Sequence, residues 1–365
     1  MKQIKPVLLF SVVLFCMTAC KKSGTDNNTP DPVLYTKIEY TGATVFSEAR
    51  SHLSAAAVGN KIFFAGGYIR SGTKISKNVD IYDVSTNTWT TNQLSEARFS
   101  LCAAAAGNKI FFAGGYTNSG STASKTVDIY DVSTNTWTTA LLSEARGNLS
   151  AAAIGNKIVF AGGNIVGVPS KTVDIYDVST NTWTTAVLSE ARAYLCATAA
   201  GNKIFFAGGA NSATASKAVD IYDVSTNTWT VTQLSEARSN LAAAAAGNKV
   251  VFAGGYIGGS SKTVDIYDVS TNTWTVFLLN EARSNLWAAA AGNKIVFAGG
   301  GDMISILPSK MVDIYDVSTN TWTVSLLNEA RSYISGAAAG NKILFAGGDN
   351  GTTDFKTVDI FTLSK

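Results

Sequence analysis

The chain has 365 residues, enough for a large core or two domains and too many for a small disulfide-stapled scaffold. Charged residues make up 15% and hydrophobic ones 46%, a balance too apolar for disorder. Setting Lys2 and Lys5 aside as part of a leader leaves 27 basic side chains (29 − 2) against 26 acidic ones, which excludes a basic field for nucleic acid. The single histidine, His52, excludes His-rich metal sites and most catalytic triads, and four cysteines are too few for a disulfide framework.

In chain order, Met1–Pro6 carries two lysines and Val7–Met17 is an apolar run of about eleven residues. That run is shorter than the ~20 residues a membrane-spanning helix needs, so residues 1–19 are expected to be a signal peptide. It closes on Met17-Thr18-Ala19-Cys20, followed by Lys21-Lys22-Ser23-Gly24. These residues resemble a bacterial lipoprotein signal, although Met17 stands where leucine is usual. The resemblance implies lipidation of Cys20 and anchoring to a cell-envelope membrane, the outer one by preference. Residues 20–32 are polar and turn-rich, hence a tether.

Residues 33–365 are one repeat array. Ala-Gly-Gly occurs seven times, starting at Ala65, Ala113, Ala161, Ala207, Ala253, Ala298 and Ala346, with spacings of 45–48 residues. The string VDIYDVSTNTWT recurs unchanged from Val79, Val127, Val173, Val219, Val264 and Val312. Each unit predicts four short strands. Leu53–Val58 is small and apolar; Gly59-Asn60 is a two-residue hairpin turn with positive φ expected at both positions. Lys61–Ala65 is a buried strand ended by Gly66-Gly67, Val79–Asp83 alternates apolar with acidic residues, and Trp89–Leu94 follows a turn rich in Asp, Ser and Asn. No stretch carries a helical period, so the class is all-β. The last unit stops after its third strand, and Tyr35–Phe46 is expected to supply the fourth.

Four strands per unit at this period suit a β-propeller. The double glycine, then Tyr82-Asp83, then Trp89 after a short turn resemble the kelch repeat throughout residues 33–365. The resemblance implies a seven-bladed kelch-type propeller of four-stranded blades, its last blade closed by the N-terminal strand. It also implies an innermost first strand, which fits the alanine run Ala55-Ala56-Ala57, and inter-blade packing of Tyr82 and Trp89.

Comparing the units separates frame from candidate site. Glu48, Arg50, Lys61, Lys77, Asp80 and Asp83 of the first copy recur along the array. The arginines Arg50, Arg98, Arg146, Arg192, Arg238, Arg283 and Arg331 permit two readings: bracing of the blades, or a polar rim for a ligand, for which their planar fork of donors is suited. Variation falls two residues later, at His52, Ser100, Asn148, Tyr194, Asn240, Asn285 and Tyr333, and in the loops after each double glycine. Arg70, Lys74, Asp302, Asp349 and Asp354 in those loops stand outside the repeated charges. Both regions lie at one end of the blades, so that end is the expected binding face. Its candidate residues are His52, Tyr68, Arg70, Tyr116, Asn148, Tyr194, Asp302, Tyr333, Asp349 and the seven arginines. Cys102 and Cys196 read as small core residues, the Asp83–Asn87 run as a turn rather than a calcium loop, and Trp287 as inter-blade packing.

The function expected is non-catalytic binding of a protein or glycan by a monomeric, lipid-anchored propeller, with no cofactor, metal or nucleic acid. The alternative is a sugar epimerase or mutarotase-like enzyme using carboxylate and arginine groups at the channel mouth, since some kelch proteins resemble such enzymes. A third possibility is a purely structural spacer.

Overall fold

The computed structural model describes residues 33–70, 74–302, 304, 305 and 307–365, without the side chain of Ser119. The leader, Cys20 and the tether lie outside the described residues. Seven four-stranded antiparallel sheets follow one another along the chain. In the first, Ser54–Val58 pairs with Lys61–Ala65, that strand with Asn78–Asp83, and the last with Thr88–Gln93. The innermost strands pack side by side, and that of the seventh sheet meets that of the first, so the ring is closed. This is a seven-bladed propeller. Small residues form the inner strands because seven chains converge there.

Closure is the work of the N-terminus. Lys37–Val45 pairs antiparallel with Thr357–Ser364, from Lys37 opposite Ser364 to Val45 opposite Thr357, with a register shift between Tyr40 and Gly42. It thus supplies the outer strand that the seventh unit lacks. The Gly-Asn turns differ from expectation in one detail: Gly59 takes φ +57, but Asn60 does not enter the left-handed region. Its carbonyl instead accepts the Val84 N–H at 2.9 Å.

Between blades the core is apolar and repetitive. Tyr82 and Trp89 of blade 1 pack with Phe64, Leu344 and Ala346, the last two from blade 7. The frame's polar element is the repeated arginine, and here the structure corrects the rim reading. All seven arginines are buried, with no exposed surface. Arg192 pairs with Asp220 and donates Nη1 to the carbonyls of Gly208 at 2.6 Å and Ala218 at 2.8 Å. Arg50 pairs with Asp80 at 2.6 Å and Arg331 with Asp359, as do the remaining four with Asp128, Asp174, Asp265 and Asp313. Each arginine's own carbonyl accepts the second glycine N–H of the preceding blade, from Gly67 to Arg98 at 2.8 Å through Gly348 to Arg50 at 3.0 Å. The double glycine is required by this approach: a Cβ on Gly66 would lie 2.3 Å from the Arg98 carbonyl oxygen. The arginines therefore tie blades together and are not available to a ligand.

Candidate functional site

The inner strands begin at the end of the ring that carries the double glycines. There each blade contributes one residue with a left-handed backbone: His52, Ser100, Asn148, Tyr194, Asn240, Asn285 and Tyr333, with φ between 51° and 57°. Every one of their N–H groups donates to the carbonyl of the same position one blade back. Ser100 reaches His52 at 3.0 Å, Asn240 reaches Tyr194 at 2.9 Å, and His52 reaches Tyr333 at 3.3 Å. Seven such bonds make a closed backbone belt around the channel. The belt is made of main-chain groups alone, so it does not depend on which side chain stands at each position.

Those side chains ring a cavity of about 360 Å³. Its shaft is walled by small residues of the inner strands, among them Ala55, Ala103, Ala151 and Ala243, with Cys102, Cys196 and Trp287. Above it opens a basin of about 670 Å³, lined by the same ring together with Phe99, Tyr116, Gly120, Asn164, Val166 and Gly167. Among the described residues no carboxylate, lysine or arginine lines either space. The mouth is a neutral surface of amides, phenols, one hydroxyl and an imidazole, each able to donate and to accept.

His52 stacks on Tyr333 with ring centroids 4.0 Å apart, and Phe99 meets it edge-on at 6.3 Å. Burial against these rings pushes the imidazole down to about 4; Asp349 opposes the shift and Arg70 adds to it. His52 is accordingly neutral at pH 7. Burial likewise pushes the thiols of Cys102 and Cys196 up to about 12, so they are inert. The sulfur of each lies 3.6 Å from a strand carbonyl. Trp287 does two things: it donates Nε1 to the Gly336 carbonyl of the next blade at 2.7 Å and also lines the shaft.

Of the residues singled out in the sequence, the structure brings His52, Asn148, Tyr194 and Tyr333 together at the mouth, with Tyr116 on the basin wall. The others are placed elsewhere. Asp302 accepts the N–H groups of Ile304 and Ser305 at 3.2 and 3.1 Å and so closes its own hairpin. Arg70 and Asp349 join the hairpins of blades 1 and 7 at 3.3 Å, and Asp354 extends the latch to the Arg70 N–H at 2.5 Å and the Ser51 hydroxyl at 3.0 Å. Tyr68 packs on Phe99 with centroids 5.6 Å apart. None of these five, and none of the seven arginines, lines the cavity. Their charges are spent on one another or on the frame.

The sequence reading missed Phe99, Asn164 and Val166. Phe99 had a signal: the equivalent position holds only small residues in the other units, namely Ser51, Gly147, Ala193, Ser239, Ser284 and Ser332. Asn164 follows its double glycine where others carry tyrosine, alanine, glycine or aspartate. Val166 has φ +44, a left-handed conformation that strains a β-branched residue. Nothing in its sequence neighbourhood marks that strain.

The array matches the profile of the KLHDC2/KLHL20/DRC7 Kelch-repeats domain over residues 51–236, 101–281 and 195–365. No curated protein matches the sequence. Among solved structures, that of YjhT superposes with a TM-score of 0.61 over 77% of this chain and 99% of its own, at 15% identity. At that identity the likeness shows the fold alone. Together these matches run from Ser51 to Lys365, and on that ground the chain belongs to the kelch-repeat family.

Proposed function

We propose that this propeller is a binding protein whose protein or glycan ligand seats at the channel mouth, and that Cys20 anchors it by lipid to the bacterial envelope. A binding role accords with the kelch fold, but fold alone does not name a ligand. One observation carries the reading: the seven neutral side chains are of four types while the backbone beneath them repeats as a closed belt. Tyrosine in a left-handed conformation costs free energy that asparagine or glycine would avoid, so Tyr194 and Tyr333 are retained for what they touch. The alternative, a sugar epimerase or mutarotase, requires a carboxylate with a positioned proton partner. Among the described residues no carboxylate lines the cavity, so the binding reading is preferred.

The test is a screen of glycans and envelope proteins, read by calorimetry. Tyr194→Ala should weaken the ligand found at least tenfold, whereas Lys157→Ala, in a Gly-Asn-Lys turn at the opposite end, should leave it unchanged. The reverse pattern would move the site to the other end. Cys20→Ser should release the protein from membranes; unchanged partitioning and processing would refute the anchor.

A further inference from the structure

The basin above the mouth is lopsided. Of the hairpins that follow the double glycines, those of blades 2 and 3 alone line it among the described residues, through Tyr116, Gly120, Asn164, Val166 and Gly167. The sequence builds this wall deliberately. A Cβ at Gly147 would lie 2.1 Å from the Tyr116 ring, so glycine there admits the phenol between the two blades. The Tyr116 hydroxyl then donates to the Asn164 carbonyl at 3.2 Å and accepts from Asn148 Nδ2 at 3.4 Å. Asn164 itself is 5% exposed, and its Oδ1 has no hydrogen-bond partner in the chain. A buried acceptor left unpaired is costly, and its pairing by a ligand recovers that cost. Beside it, Phe99 presents a half-buried ring packed against Tyr116 and His52.

We propose that this wall is a second sugar subsite, so that the ligand is an uncharged oligosaccharide of two or more units; the inference rests on the mouth being the ligand site. One unit occupies the neutral ring at the mouth. The next lies on the blade 2–3 wall, pairs a hydroxyl with the Asn164 side chain as that amide turns to the basin it lines, and sets its apolar face against Phe99. A sugar hydroxyl both donates and accepts, as do the amides and phenols around it. The absence of charge from the lining disfavours an acidic glycan, since burying a carboxylate without a cation is costly.

The experiment measures calorimetric affinity for a size series of neutral sugars, mono- to tetrasaccharides of glucose, galactose, mannose and N-acetylglucosamine. Two variants copy residues that other blades already tolerate: Asn164→Ala, as at Ala210, and Phe99→Ser, as at Ser239. The expected result is a gain of at least tenfold from mono- to disaccharide, lost in both variants, with monosaccharide affinity held in Asn164→Ala. Equal affinity for all lengths, unaffected by either variant, overturns the subsite and leaves the mouth reading intact. Binding of no sugar, or capture of a polypeptide that Tyr194→Ala abolishes, overturns the oligosaccharide altogether. Melting temperatures of both variants within a degree or two of the parent exclude misfolding as the cause.

Discussion

Two positions two residues apart behave in opposite ways. At Arg50 and its six equivalents the side chain is constant, buried and paired with a buried aspartate in every blade. At His52 and its equivalents the backbone is constant and the side chain varies among four residue types. In the first case the frame depends on the side chain; in the second it depends on the main-chain belt and leaves the side chain open to selection by a ligand. Constancy and variation are thus both structural statements. They say which part of a residue carries the fold.

The contrast can be broken experimentally, most forcefully at the frame. Deleting Val33–Phe46 removes the strand that pairs with Thr357–Ser364 and exposes an inner sheet edge, so the variant should aggregate in size-exclusion chromatography. A monomer with an unchanged melting temperature would show that closure does not need it. Next, Arg192→Met leaves Asp220 buried without its cation and should cost about 3–5 kcal/mol in denaturant unfolding. A loss no larger than that of a surface change would remove the arginines from the frame.

At the mouth the effects are smaller and more informative. Gly147→Ala forces a methyl group into the Tyr116 ring, with a cost of about 1–3 kcal/mol, and in a double-mutant cycle with Tyr116→Ala the two losses should sum to less than their separate values. Tyr194→Asn should stabilise by roughly 0.5–1 kcal/mol, because asparagine accepts the left-handed backbone, while abolishing ligand binding. His52 supplies the most delicate test. Its imidazole is held at about 4 when folded against an ordinary value of about 6.5. Between those values the unfolded chain binds a proton that the folded one does not. Stability from this group is therefore full above about pH 6.5, declines as pH falls towards 4, and levels off below. Because His52 is the one histidine, a single imidazole resonance followed by NMR reports its titration directly. A midpoint near 6.5 would mean that the ring is solvated at the mouth rather than buried beside Tyr333 and Phe99.

Much of this was legible before any coordinates. Strand periodicity and turn chemistry are local, so each unit was legible as four short strands; the seven-bladed ring closed by Tyr35–Phe46 was legible through the resemblance of the double glycines and tryptophan strings to the kelch repeat. The variable position at the mouth was legible too, by comparing unit with unit. The arginines were not. Whether a guanidinium faces solvent or a buried aspartate 27 to 30 residues away depends on how deeply the loop folds back over its own blade. Nor could the chain alone bring Arg70 to Asp349, 279 positions on, and so remove both from the candidate list. Asn164 is the sharpest case: nothing in the residues around it tells that its side-chain oxygen is buried without a partner. Repetition determined the strands and turns of each unit through short-range preference, whereas pairing, burial and strain at the mouth arise where blades meet, and only the closed tertiary structure decides them.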